Sequence, residues 1–218
     1  MQSQAKTSHL IRSTAILMAA FLANKILAIG RQIVIARTFG TSADYDAFVA
    51  AFRLPTAFIP ILTERLTRHP AADPAGWRLA SNVLNTLLLV VISLSILLAI
   101  LARPLVEWVI APGFAPETQI LTANLMRLTL LSTIIFSASS LLGAILHTRQ
   151  HFLLPAIAPL IYNLGIMAGA VFLAGRFGVY GLIIGVIIGA LGHLLIQVPG
   201  LIHYRMEYRP ILDWADHD

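Results

Sequence analysis

Residues 44–66 read DYDAFVAAFRLPTAFIPILTERL. The stretch is apolar enough to enter a bilayer, yet it carries Asp46, Arg53, Pro55 and Pro60. Whether it crosses the membrane or only dips in decides the side on which each later loop lies. From Tyr45 to Leu62 a helix would be about 27 Å long, slightly short of the ~30 Å hydrocarbon core. Each proline removes a backbone donor, so a crossing here is expected to be kinked.

The surrounding chain settles which reading to prefer. Of its 218 residues, 58% are hydrophobic and only 11% are charged. A water-facing domain is about a quarter charged, so this chain lacks the polar surface to cover a soluble globule. Windows of about 20 apolar residues mark six segments, near 10–37, 45–66, 77–102, 119–146, 153–175 and 178–203. Gly40, Pro70 with Pro74, "APGF" at 111–114, Pro155 and Gly175 punctuate them. The piece "RPLVEWVI" at 103–110 is too short to span and carries Glu107 and Trp108, which suits an interfacial turn of helix. The expected fold is therefore all-α: a polytopic membrane bundle of six transmembrane helices, forming one domain over residues 1–218.

Loop charge orients the bundle. With the N-terminus in the cytoplasm, cytoplasmic stretches hold Lys6, Arg12, Arg65, Arg68, Arg78, Arg149, Arg205 and Arg209, against Arg37, Arg103 and Arg176 opposite. Basic residues gather in cytoplasmic loops, so both termini are expected inside and residues 44–66 are expected to cross fully. A dip would turn the basic loops outward. The same rule explains the net charge of +5, which is not read as a nucleic-acid surface. Lys6 and Arg12 precede "STAILMAAFLA" in the manner of a signal peptide. No clear small-x-small cleavage site follows Ala23, and the apolar pattern resumes past Lys25 to Ile35, so an uncleaved first helix is expected. The absence of cysteine excludes disulfides, thiolate catalysis and cysteine metal sites.

Charges within spans are costly, so they face water, a partner or an interface. Lys25 and Arg31 fall in the first span, Asp46 and Arg53 in the second, and Arg127 near the start of the fourth. Asp46 and Arg53 are seven apart and share a helix face, about 10 Å apart in rise. Lys25 and Arg31 are six apart, roughly 120° around an ideal helix, and share a face only if the chain bends at Gly30. One reading is a cationic cavity for an anionic head group, since arginine forks onto phosphate. The other is snorkelling or internal pairing, which is the preferred reading for Arg127. His147 and His151 have i, i+4 spacing suited to zinc, but neither an adjacent Glu nor a third ligand is nearby, so a basic loop is expected and no metal. Gly181, Gly185 and Gly189 form a small-xxx-small stripe for close helix packing, and Asn163 suits an interhelical hydrogen bond. Neither a serine–histidine–acid set, a carboxylate pair in a span nor a phosphate-cradling glycine loop is present, so no enzyme activity and no cofactor are expected.

Taken in order, "GRQIVIARTFG", "DYDAFVAAFRLP", "AFIPILTERL", "WRLASNVLN", "APGF", "LMRLTL", "LLGAILHTRQHFLLPAIAPLIYNLGIM" and "QVPGL" resemble the MurJ/MviN lipid II flippase family. That family belongs to the multidrug and oligosaccharidyl-lipid exporters. The resemblance implies a bacterial inner-membrane protein that moves the undecaprenyl-pyrophosphate-linked peptidoglycan precursor outward, between two six-helix lobes around a central cationic cavity. It places Arg31 at a cavity arginine of the first helix and Asp46 at an aspartate opening the second. Lys25 stands where the family usually has arginine, keeping charge but losing the bidentate fork. In the family a stretch with an arginine and an "EGA" turn lies between "FRLP" and "AFIP"; here only Thr56 separates Pro55 from Ala57. About a dozen residues thus look deleted by helix-length arithmetic, and Arg53 is a neighbour of the lost cavity residues, not a replacement. The resemblance also implies a second lobe beyond these spans. The expectations are a one-lobe relative of a flippase, a half-transporter pairing with itself or a separate lobe, or a non-transporting membrane remnant or interaction protein.

Overall fold

The computed structural model describes residues 2–52 and 74–212. Arg53, Pro55, Pro60 and the proposed deletion point at Thr56 lie outside the described residues. Helix α1 runs without interruption over Gln2–Phe39. It stops where Gly40 takes φ +57°, a left-handed conformation that costs glycine little. Ser42 then caps α2, described over residues 43–52: its hydroxyl accepts the Tyr45 N–H at 3.3 Å. Asp44 and Asp46 occupy the first turn of α2, where a negative charge complements the helix dipole. Rings from Phe39, Tyr45, Phe48 and Phe52 follow one another at 6.4, 6.0 and 4.7 Å and bind the two helices at their junction.

Helix α3 covers Pro74–Ile100, with proline at the first position, where a missing N–H costs nothing. The short α4, Ala102–Leu105, widens into a π turn over Val106–Ile110. Ala102 and Val106 are buried, Trp108 is exposed, and Arg103 pairs with Glu107 at 2.8 Å. "APGF" makes the turn into α5, Pro116–Thr148, with the Phe114 N–H and the Gln119 side chain both donating to the Ala111 carbonyl. α5 ends in a Schellman turn. The His151 N–H reaches the Leu146 carbonyl and the Gln150 N–H reaches that of His147, with Gln150 at φ +56°. Helix α6, Leu153–Ala168, passes through a π turn at Gly169–Leu173 into α7, Ala174–Phe177. The chain then breaks at Gly178, φ +55°, and not at Gly175, which lies inside α7. Gly175 has no conformational task there; the left-handed turn falls three residues later. Helices α8, Val179–Leu195, and α9, Val198–His203, complete the bundle.

Five of these helical stretches are long and apolar enough to cross a membrane: Leu17–Phe39, Ala80–Ile100, Pro116–Thr148, Leu153–Phe177 and Val179–His203. They match five of the six expected segments; the sixth, 45–66, is described only to residue 52. No strand occurs among the described residues.

The tightest packing joins α6 to α8 through glycine. A Cβ on Gly165 would lie 2.4 Å from the Gly189 Cα, and one on Gly185 would lie 2.7 Å from the Gly169 Cα and the Gly165 carbonyl oxygen. The stripe thus brings backbone against backbone, which is how apolar helices gain packing energy where lipid offers no hydrophobic driving force. One core gathers Ile35, Ala47 and Phe48 with Met126, Ile166, Leu182 and Val186. A second gathers Leu84, Leu87 and Val91 of α3 with Leu130, Leu141 and Leu146 of α5. Three of the hydroxyls buried along α5 are satisfied within the helix: Thr122, Thr129 and Ser137 each donate to the carbonyl four residues back.

Candidate functional site

Helix α1 presents two unlike faces. Met18, Phe21, Leu22, Ile26 and Ile29 are exposed, as suits a lipid-facing surface. Asn24, Arg31 and Ile35 turn toward the bundle. Arg31 is half-buried, and its Nη1 donates to Oδ1 of Asn163 on α6 at 2.9 Å. Asn163 is buried. Its Nδ2 donates to Oδ1 of Asn24 at 2.8 Å and to the Pro159 carbonyl at 3.0 Å. Both amide hydrogens therefore have acceptors, which fixes the carbonyl end toward Arg31. The Nε of Arg31 is buried and makes no hydrogen bond among the described residues. No ion pair of Arg31 with a carboxylate occurs among the described residues.

Arg31 lines a cavity of about 230 Å³ with Gln32, Tyr45, Phe48, Phe52 and Tyr162. Four helices meet there: α1, α2, α6 and α8. Its walls are mainly apolar, aromatic and aliphatic in equal part, and Arg31 supplies its cationic group. A guanidinium with a neutral partner in such a place keeps its full charge for an incoming anion.

The other candidates sit elsewhere. Lys25 is exposed, its Nζ 5.2 Å from the centroid of the Phe21 ring one turn earlier. α1 is assigned as one continuous helix through Gly30, and Lys25 does not line the Arg31 cavity. Asp46 is exposed in the first turn of α2 and also lies outside that lining. Arg53 is outside the described residues. Arg127 is exposed and donates to the Ala99 carbonyl near the end of α3 and to Asn124, which is internal pairing. His147 and His151 face separate rings, Phe152 at 5.4 Å and Tyr204 at 5.9 Å.

Two features escape a reading of the sequence alone. Asn24 gives no periodic signal, and its link to Asn163 spans 139 positions. A second polar cluster joins Ser139 of α5 to His193 of α8 and to Gln197 in the turn between α8 and α9. Ser139 Oγ and His193 Nδ1 are 2.7 Å apart, and Gln197 Nε2 donates to Ser139 Oγ at 2.7 Å. The signal available for both was a lone polar residue inside an apolar run.

Long apolar helices, backbone-close glycine packing and a cation turned inward define a polytopic helical membrane protein. Residues 35–218 match the family described as lipid II flippase MurJ, and the chain belongs to that family. It is 31% identical over 210 residues to a probable lipid II flippase MurJ of Buchnera aphidicola from Acyrthosiphon pisum, covering 88% of this chain and 40% of the relative. With the lipid II flippase MurJ of Burkholderia cenocepacia the identity is 29%, at the same coverage. A solved lipid II flippase MurJ, in an inward closed conformation, matches the fold with a TM-score of 0.76 at 23% identity, over 91% of this chain and 44% of that one. The chain thus spans about 40% of the length of the curated relatives it matches. The Buchnera alignment extends over 210 residues, more than 88% of a 218-residue chain contains, so that relative carries residues in this span that this chain lacks.

Proposed function

We propose that residues 1–218 form a single MurJ-like N-terminal lobe in a bacterial inner membrane, and that Arg31 contacts the diphosphate of an undecaprenyl-linked precursor such as lipid II. The observation that carries this reading is Arg31 itself: half-buried, lining a cavity and held by a neutral amide. Transport, not catalysis, is the use that suits it. Lys25, exposed beyond the cavity, is assigned a weaker role as a long-range attractor of the anionic head group, and Asp46 a place in the first turn of α2; Arg53 stays a candidate on motif spacing alone. The extra residues in the Buchnera relative support a deletion, which we place at Thr56 from the motif spacing. Six spans with both termini cytoplasmic follow from loop charge. These residues cover about 40% of the relatives' length, and transport by alternating access needs a second lobe to rock against this one.

The test is binding. The full chain in lipid nanodiscs is exposed to undecaprenyl diphosphate and observed by native mass spectrometry. The intact chain is expected to retain the lipid, with occupancy falling about tenfold in Arg31→Gln, the scale of one charge-assisted hydrogen bond. Equal occupancy in both would overturn the assignment of Arg31.

A further inference from the structure

We propose that Asn163, pinned by Asn24, is a positioning residue that holds Arg31 at the cavity with its charge uncancelled, so that the site accepts a phosphate or diphosphate anion. The inference rests on the reading of Arg31 as an anion contact and adds the device that makes that contact possible. A guanidinium on a long side chain has many rotamers, and ordering it on binding costs affinity. Here one Nη1 bond at 2.9 Å removes part of that freedom before any ligand arrives. The holder is itself held: both Asn163 hydrogens are occupied, one by Asn24 and one by the Pro159 carbonyl. The chain Asn24–Asn163–Arg31 ties α1 to α6 twice, at points about two helical turns apart along α1.

The chemistry of the holder matters as much as its geometry. A carboxylate at position 163 would grip Arg31 more tightly and neutralise it. The amide grips without neutralising, and the buried Nε has no partner among the described residues to saturate it. Asp46 lies outside the lining of this cavity, so it does not take over that neutralising role. The selected ligand class is then a compact oxyanion whose oxygens can meet a guanidinium edge, with the rings of Tyr45, Phe48 and Tyr162 shielding one side of it.

The experiment uses the full chain in a zwitterionic detergent, labelled with ¹⁵N at arginine Nε and titrated with inorganic pyrophosphate. Circular dichroism and size exclusion check that each variant is folded. In the unsubstituted chain the Arg31 Nε–H signal, assigned by its loss in Arg31→Gln, is expected to exchange slowly with water and to shift on titration. Asn163→Asp is nearly isosteric, and Asn24 can turn its amide over to donate to it. This variant should keep an ordered Arg31 signal and still lose pyrophosphate affinity by about tenfold or more, because the charge is cancelled. Asn163→Leu and Asn24→Leu should instead release Arg31 into fast exchange and weaken binding. Undiminished affinity in both Asn163 variants, with binding still lost in Arg31→Gln, would refute the positioning role alone. Undiminished affinity in Arg31→Gln would refute the anion reading of Arg31 as well.

Discussion

At Gln150 and Arg205 the chain takes φ of +56° and +51° at the ends of α5 and α9. Side chains with a Cβ pay about 1 kcal/mol or more for this conformation. Both positions complete Schellman turns, so the hydrogen bonds there hold the strained residue in place. Gln150→Gly should therefore leave the turn intact and raise stability by up to about 1 kcal/mol, less the extra entropy glycine adds to the unfolded chain. A denaturation midpoint lower than that of the parent in the same detergent would contradict this. Arg127 makes the opposite case. Its Nε bond to the Ala99 carbonyl satisfies one of the last carbonyls of α3, so Arg127→Ala should cost about 1 kcal/mol and leave anion binding unchanged.

Among the elements, the α6–α8 pair is the rigid spine, and its tolerance to added volume is low. Gly185→Ala places a Cβ 2.7 Å from backbone atoms of Gly165 and Gly169, which no rotamer change can relieve. The two helices must separate, at a cost of about 1–3 kcal/mol. Gly175 is the internal control, because a Cβ added there would meet nothing within 4 Å. Gly175→Ala should be neutral or slightly stabilising by helix propensity. Thermal unfolding of both variants, side by side, decides: similar losses in the two would mean that glycine packing is not what joins α6 to α8. Since Asn163 lies on α6 just before Gly165, loosening this pair should also disturb the hold on Arg31.

For the whole molecule the first question is orientation. Cysteine introduced at exposed Glu117, at the start of α5, should react with an impermeant thiol reagent added to intact cells. Cysteine at exposed His147, at the other end, should not. The reverse pattern would overturn the cytoplasmic placement of the termini drawn from loop charge. The second question is activity. Alternating access rocks one repeat against another around a site at their interface, and these 218 residues cover 40% of the relatives' length. Expressed by themselves in a bacterium depleted of its own flippase, they are expected to insert yet not to restore growth. Restored growth without a self-associated dimer would refute that expectation.

Composition alone determined that this chain is a helical membrane protein, because so few charges cannot cover a soluble surface and only helices satisfy their own backbone over such long apolar runs. Apolar runs and their punctuation located four of the helical stretches closely at both ends, since proline and positive-φ glycine act locally. By contrast, α1 begins at Gln2, well before the expected residue 10, because its polar first turns carry no apolar signal. Gly175 misled because an apolar run says nothing of which nearby glycine takes the positive φ. The glycine stripe also announced close packing, as small residues every fourth position can serve little else on an apolar helix. What the sequence left open was the fate of each buried cation. Lys25 and Arg31 looked equivalent, and only tertiary packing turned Arg31 inward to Asn163 and left Lys25 outside. The hydrogen bonds that decide this join residues 132 and 139 positions apart. Such pairings have no local signature, because they depend on the rotation of α1 against α6, which is fixed by the packing of every helix between them.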